Sequence, residues 1–191
     1  MAAEGAVPIE RLDAAGARED LPALVEILRD AVDGGASVSF LPPLGAAEAE
    51  RYWRGIVAAV DAATRILLVA RVGGRIDGTV QLDLDQPQNG GHRAEVAKLL
   101  VHRRARRRGL GRAMLSAIEE EALRAGRTLL VLDTRRGDAG EGLYRSQGYV
   151  EAGVIPGYAR SAEGSRTDTV FFYRVFEPDT SMRMGCGEGG S

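Results

Sequence analysis

The stretch that decides the fold is Arg93–Arg127: R-A-E-V-A-K-L-L-V (93–101), H-R-R-A-R-R-R-G-L-G-R (102–112) and A-M-L-S-A-I-E-E-E-A-L-R-A-G-R (113–127). The first piece reads as a strand, with Val96, Leu99, Leu100 and Val101 apolar and Glu95 and Lys98 set among them. The last reads as a helix. Leu110, Met114, Ile118 and Ala122 recur every fourth residue, with Ala113 and Ala117 beside them. Glu119, Glu120, Glu121 and Arg124 fall on the remaining surface, and Gly126 stands where the helix should stop. Between strand and helix lies a turn holding Arg103, Arg104, Arg106, Arg107 and Arg108, closed by Gly109 and Gly111. A strand that empties through a glycine turn into a helix leaves backbone N–H groups unpaired at the turn. With the helix dipole they favour an anion, above all a phosphate. The guanidinium groups add donors that fork onto phosphate oxygens.

The spacing narrows which anion. A P-loop needs Gly-Lys-Ser/Thr, whereas Gly111 is followed by Arg112 and Ala113; a dinucleotide fingerprint needs a third glycine where Met114 stands. What remains is Arg106-x-x-Gly109-x-Gly111, followed downstream by D-T-R-R-G-D-A-G-E-G-L-Y-R-S-Q-G-Y (133–149). These two blocks resemble the GNAT superfamily of acyl-CoA-dependent N-acyltransferases. Its signature is Gln/Arg-x-x-Gly-x-Gly/Ala at a strand-to-helix junction, and its second hallmark is a strand, a short helix carrying Leu-Tyr, and Gly-Tyr/Phe. The resemblance covers residues 7 to 176. Within the superfamily, H-R-A-E-V-A-K-L-L-V-H-R-R-A-R-R-R-G-L-G-R (92–112) and L-V-L-D-T-R (130–135) are similar to the tabtoxin-resistance type of acetyltransferase. F-L-P-P-L (40–44) matches the style of that branch.

The resemblance implies an α/β (α+β) fold: a mixed, mostly antiparallel twisted sheet of about seven strands, splayed at its centre, with helices on both faces. It implies acetyl-CoA as co-substrate. The pyrophosphate would lie on Arg106, Arg107, Arg108, Gly109, Leu110, Gly111 and Arg112, and the pantetheine along the main chain of Leu99, Leu100 and Val101. Asp138 stands where many members carry an Asn that contacts the cofactor. Glu95, Asp133 and Tyr144 correspond to the residues that serve the reaction in the tabtoxin-resistance branch. Phe40, Trp53 and Gln81 are the candidate substrate-binding side chains. The acceptor implied is a small amino-acid-like or antibiotic amine, and a homodimer is expected on the same ground.

The residues support that chemistry on their own terms. Acyl transfer from a thioester to an amine needs a held carrier, a neutral amine, donors for the oxyanion and a proton for the thiolate. Glu95 shares the parity of Ala97 and Leu99, and Asp133 that of Leu129 and Val131, so on adjacent strands both reach one cleft. An amine with a lysine-like pKa is protonated at neutral pH and needs such a base. Tyr144, with a phenol pKa near 10, can protonate a departing thiolate of pKa about 8–9 when beside the sulfur. Plainer roles stand beside these: Glu95 paired with Arg93, Asp133 capping the following loop, Tyr144 packed in the core, and the arginines as a solvated turn. His92 and His102 are lone histidines without metal spacing, and Ser116 lies mid-helix without triad companions. No metal is expected.

With 191 residues, 45% apolar and 27% charged, the chain fits one globular domain, read here as 1–176 with a disordered tail at 177–191. A net charge of −2 and a pI near 5.8 argue against a nucleic-acid binder. The single Cys186 allows no internal disulfide, and no signal peptide or membrane-length apolar run is visible, so a cytoplasmic protein without membrane contact is expected. The other elements are strands at 7–12, 66–72, 76–84, 129–134, 149–158 and 169–176, and helices from Asp20, over 46–62 and over 140–147. Gly73-Gly74 forms a hairpin turn, and 36–44 and 85–92 are loops. Two further functions share this frame: a protein lysine or α-amine acetyltransferase, and a non-catalytic acyl-CoA-binding protein.

Overall fold

The computed structural model describes residues 7–177. Residues 1–6 and the tail with Cys186 from Pro178 onward lie outside the described residues. In chain order the elements are β1 (Ile9–Leu12), α1 (Ala14–Glu19), α2 (Leu21–Asp33), α3 (Ala46–Asp61), β2 (Arg65–Val72), β3 (Arg75–Asp83), β4 (Arg93–Val101), α4 (Leu110–Arg124), β5 (Leu129–Arg135), α5 (Ala139–Ser146), β6 (Val150–Arg160) and β7 (Arg166–Val175). They form a seven-stranded sheet of order β1-β2-β3-β4-β5-β7-β6. Only the β4–β5 pair is parallel.

Two apolar layers hold helices to the two faces. On one face Ile66, Leu68, Val80, Leu82, Ala94, Val96, Leu130 and Leu132 pack with Leu110, Met114, Ile118 and Ala122 of α4 and with Tyr144 of α5. On the other, Leu67, Val69, Ile76 and Leu100 pack with Leu24, Ile27 and Leu28 of α2 and Trp53, Ile56 and Val57 of α3. Burying side chains of this size contributes about 1.5–3 kcal/mol each, so the four-residue period of α4 is enough to fix its orientation. The close approach of α4 explains Gly78 in β3: a Cβ there would meet Met114 Sδ at 2.4 Å.

The central opening follows from the pairing. β4 and β5 pair only over Arg93↔Leu129, Ala94↔Leu130 and Glu95↔Val131. Beyond this β5 is held by β7 along its whole length, from Leu129↔Val175 to Arg135↔Thr169. β4 stays with β3 as far as Gly78↔Val101. The two strands are thus drawn apart, and the edge of β4 past Glu95 that faces β5 has no strand partner. A bulge lies on the same stretch: Thr79 pairs with Leu100 and Gln81 with Ala97, so Lys98 and Leu99 together oppose Val80. Lys98 takes φ +50°.

The structure adds one element to the sequence reading and corrects one expectation. The six-residue α1, capped by Asp13 accepting from Gly16 N at 2.7 Å, was not legible as a helix because it carries no four-residue apolar period. Glu119 is not a surface residue of α4. It is 8% exposed and receives Arg174 Nη1 at 2.9 Å. β6 runs on through Gly153 and Pro156, but its register with β7 shifts at both places, between Glu151 and Gly153 and between Ile155 and Ala159; Pro156 is tolerated because β6 is the edge strand of the sheet among the described residues.

Candidate active site

The β4–α4 junction has the features of an anion site. Gly109, at φ +76°, is the N-cap of α4, and the first bond within the helix is Ala113 N to Gly109 O at 3.1 Å. The N–H groups of Leu110, Gly111 and Arg112 therefore point out of the helix end without an intrahelical acceptor. Arg107, Arg108 and Arg112 are exposed around them. Arg106 is exposed too, but its Nε donates to the Val101 carbonyl at 3.0 Å, tying the turn to the end of β4.

The arginine run divides into two groups with different work. Arg103 donates through N and Nε to Asp30 of α2 at 2.9 and 2.7 Å. Arg104 donates to Asp77 of β3 at 2.6 Å and to Glu26 of α2 at 2.7 Å. These two clamp the turn to the body, whereas Arg107 and Arg108 remain for a ligand and Arg112 makes only a long contact, from Nη2 to Ser146 Oγ at 3.5 Å. His102 completes the clamp, accepting from Arg104 N at 3.3 Å. A diphosphate fits this donor set: a fan of free N–H groups at a 15-residue helix, flanked by guanidinium groups.

Behind the junction, the opening between β4 and β5 is lined by charge. Arg65, Asp83, Glu95 and Val131 stand opposite one another across four strands. In the next row Leu67, Gln81 and Ala97 align, and Asp133 stands beyond the gap, two residues past Val131 on the same face as Glu95. With strands about 4.8 Å apart and a rise of about 3.3 Å per residue, the Glu95 and Asp133 Cα atoms are at least roughly 8 Å apart. That leaves space for one small group or a water between the carboxylates. Both side chains reach solvent through the opening.

The surroundings shift their acidity. Partial burial raises the Glu95 pKa, and the Asp133 and Asp83 carboxylates raise it further. Asp133 is raised by burial, against a lowering by the Lys98 ammonium. Tyr144, buried against Tyr149 and Phe172, is pushed up to about 12, first by burial and then by the Asp133 charge. Its ring packs on Gly140, where a Cβ would meet Cε2 at 3.2 Å.

A cavity of about 350 Å³ opens from Asp133. Its walls are the α2–α3 loop, including Ser39 and Phe40, and the β6–β7 hairpin from Tyr158 to Glu163. Of the three candidate substrate residues, only Phe40 lines it. Trp53 is 0% exposed within the α2–α3 core, so the reading of Trp53 as a substrate contact is corrected. Gln81 is likewise 0% exposed. Its amide is engaged by Tyr52 Oη at 3.1 and 3.2 Å and by Arg65 Nη1 at 3.1 Å, so it links the floor of the cleft together and does not meet substrate. Asp138 heads α5, and its carboxylate accepts from Arg135 Nη2 at 2.6 Å, so its side chain is already engaged. Lys98, not singled out from sequence as a site residue, projects into the same charged region, its Nζ donating to Ser39 Oγ at 3.3 Å. Among the described residues no group of three or more His, Cys, Asp or Glu could hold a metal. No helix among them is long and apolar enough to cross a membrane.

The β-to-α turn offers an anion site, the splayed strand edge lies beside it, and raised-pKa carboxylates with a protonated phenol stand at the splay. A model of the Acetyltransferase (GNAT) family matches residues 26–149, and the chain belongs to that family. It is 35% identical over 131 residues to an uncharacterized N-acetyltransferase of the hisH-hisA intergenic region of Azospirillum brasilense, spanning 68% of this chain and 76% of that one. Its fold is similar to a ribosomal-protein-alanine N-acetyltransferase of Brucella melitensis (TM-score 0.73, 24% identity, covering 89% of this chain and 100% of the other). It is also similar to yncA of Salmonella typhimurium, solved with its cofactor acetyl-CoA (TM-score 0.73, 22% identity, covering 92% and 99%).

Proposed function

We propose that this N-acetyltransferase moves an acetyl group from acetyl-CoA to the primary amine of a small, amino-acid-like molecule, by direct attack with both substrates bound. The observation that carries this reading is the position of Asp133, which belongs both to the β4–β5 opening and to the wall of the 350 Å³ cavity. A base placed there meets an amine entering from the cavity and a thioester lying in the opening. The similarity of 92–112 and 130–135 to the tabtoxin-resistance branch supports an acceptor of amino-acid size.

The residues divide the work. The N–H groups of Leu110, Gly111 and Arg112, with Arg107, Arg108 and the Arg112 side chain, hold the diphosphate. The open main chain of Leu99, Leu100 and Val101 orients the pantetheine arm and offers an N–H to the thioester oxygen. Asp133, with Glu95 directly or through a water, takes the proton of the amine, and their raised pKa values make both stronger bases. Tyr144 donates the proton that the departing sulfur needs. A phenol near 12 giving its proton to a thiolate near 8.5 is uphill by about 5 kcal/mol, so the transfer has to accompany C–S cleavage. Protonation of Asp133 removes the charge that raises Tyr144, so taking the first proton makes the second easier to give.

The test is release of coenzyme A from acetyl-CoA across amino acids, β-lactam amino acids, aminoglycosides, polyamines and lysine peptides. Turnover confined to small amino-acid-like amines is expected. Turnover confined to lysine peptides would move the assignment to protein acetylation, and none with any amine would leave a carrier-binding protein.

A further inference from the structure

Lys98 is placed by a distortion that ordinary strand geometry does not supply. Val96 packs on the α4 face, and Ala97, paired with Gln81, lies on the α2–α3 face. Simple alternation would send Lys98 back into the α4 core. The bulge instead turns it to the same side as Ala97, where its ammonium lies 5.8 Å from the Tyr52 ring centroid and 3.3 Å from Ser39 Oγ. A non-glycine residue at φ +50° is strained and persists only where its surroundings hold it.

The charge placed there has no counter-ion in contact. Among the described residues no carboxylate lies within ion-pair distance of Lys98 Nζ, whereas the neighbouring Arg65 is paired with Asp83 and Arg135 with Asp138. Burial lowers the Lys98 pKa, and Asp133 and Glu95, which both face the region, oppose that lowering without reversing it. Ser39, the hydrogen-bond partner of Lys98, lines the same cavity as Asp133. The cleft therefore carries two poles: carboxylates at the β4–β5 opening, and a cation with a hydroxyl at the α2–α3 loop.

We infer that Lys98, with Ser39, receives an anionic group of the acceptor, so that the amine substrate carries a carboxylate or an equivalent oxyanion alongside its amine. This rests on the small-molecule reading above and narrows it to zwitterionic acceptors, against polyamines and aminoglycosides. Lys98 is a specificity-determining residue. The amine sits at Asp133 and Glu95 while the oxyanion takes up the charge of the ammonium, which contributes more in a partly desolvated cleft than at a surface.

The experiment compares each L-amino acid with its carboxamide, for the wild type, Lys98→Met, Lys98→Arg and Arg160→Ala. The last removes an exposed cation on the opposite wall of the cavity. Coenzyme A release is expected to favour the carboxylate member at least tenfold in kcat/KM. In Lys98→Met that preference should be lost through KM, with the carboxamide unaffected, while Lys98→Arg keeps part of it and Arg160→Ala all of it. Equal loss on both members, or loss in Arg160→Ala alone, overturns the assignment. So does stoichiometric acetylation of Lys98 by acetyl-CoA alone, found by mass spectrometry, because Lys98 would then be an acceptor. Calorimetric titration of the same amino acids onto the protein–coenzyme A complex separates the two levels of the argument. Carboxylate binding that vanishes in Lys98→Met supports the receptor even without turnover, and no carboxylate binding to the wild type refutes it.

Discussion

Replacing Asp133 by Asn removes a charge without changing shape, at the one position shared by the β4–β5 opening and the acceptor cavity. General-base catalysis supplies about 10²–10⁴ in rate, or roughly 2.7–5.4 kcal/mol of barrier. Glu95 lies on the same face, its Cα at least about 8 Å away, and can act through a water, so the single substitution should fall near the lower end, about 10² in kcat. Asp133→Asn with Glu95→Gln should approach 10⁴, more than the single losses combined, because neither carboxylate is left to stand in for the other. Stability should move the other way. The folded pKa of Asp133 lies above its unfolded value, so the group favours the folded state when protonated, and that contribution is lost as pH rises through the folded pKa. At neutral pH the charge of this partly desolvated group is a net cost that solvent exposure keeps small, and Asp133→Asn should melt at the wild-type temperature or slightly higher. Steady-state coenzyme A release over pH 6–9, with thermal melts on the same samples, reads both quantities. An unchanged kcat in Asp133→Asn would remove Asp133 from the chemistry. A lowered Tm together with the lost activity would show that the carboxylate holds the fold.

Tyr144→Phe removes a hydroxyl raised to a pKa of about 12 by burial and by Asp133. It should lower kcat by about 10²–10³ while acetyl-CoA affinity stays within twofold, and rapid-mix kinetics would detect a mutant that turns over normally. Asp30→Asn should cost about 1–3 kcal/mol in urea unfolding and raise KM for acetyl-CoA, since Asp30 binds both N and Nε of Arg103 and so anchors the turn. Burial pushes the Asp30 pKa up, but the Arg103 donors and His102 outweigh it and the net direction is down. Its stabilisation is thus complete above the unfolded value of 3.8, and the gap to the Asn variant should close as pH falls below it. Gly109→Val places a β-branched residue at φ +76° and should weaken acetyl-CoA binding at least tenfold by deforming the helix end, a loss that fluorescence titration would reveal.

The parts legible in sequence were those set by local pattern. The α4 period and the Gly73-Gly74 hairpin with φ +58° and +80° depend on residues a few positions apart, and the parities of Glu95 and Asp133 are each set within their own strand. What was not legible depends on pairing across the chain. Arg103 and Arg104 read like Arg107 and Arg108, and only contacts with Asp30, Glu26 and Asp77, 27 to 78 positions away, separate anchors from free donors. The Lys98 bulge exists only as an extra residue against Val80, so alternation along β4 alone would point that side chain to the wrong face. Trp53 and Gln81 look like pocket residues by type, but packing between α3 and the sheet leaves neither any exposed surface.

The central claim is that the β4–α4 turn grips a diphosphate, and calorimetric titration of acetyl-CoA tests it directly. The account predicts saturable binding that weakens at least tenfold, about 1.4 kcal/mol, when Arg107 and Arg108 are both replaced by Ala, and that weakens further as salt is raised. Equal affinity in the wild type and the double variant, or no acetyl-CoA binding by the wild type, would contradict it.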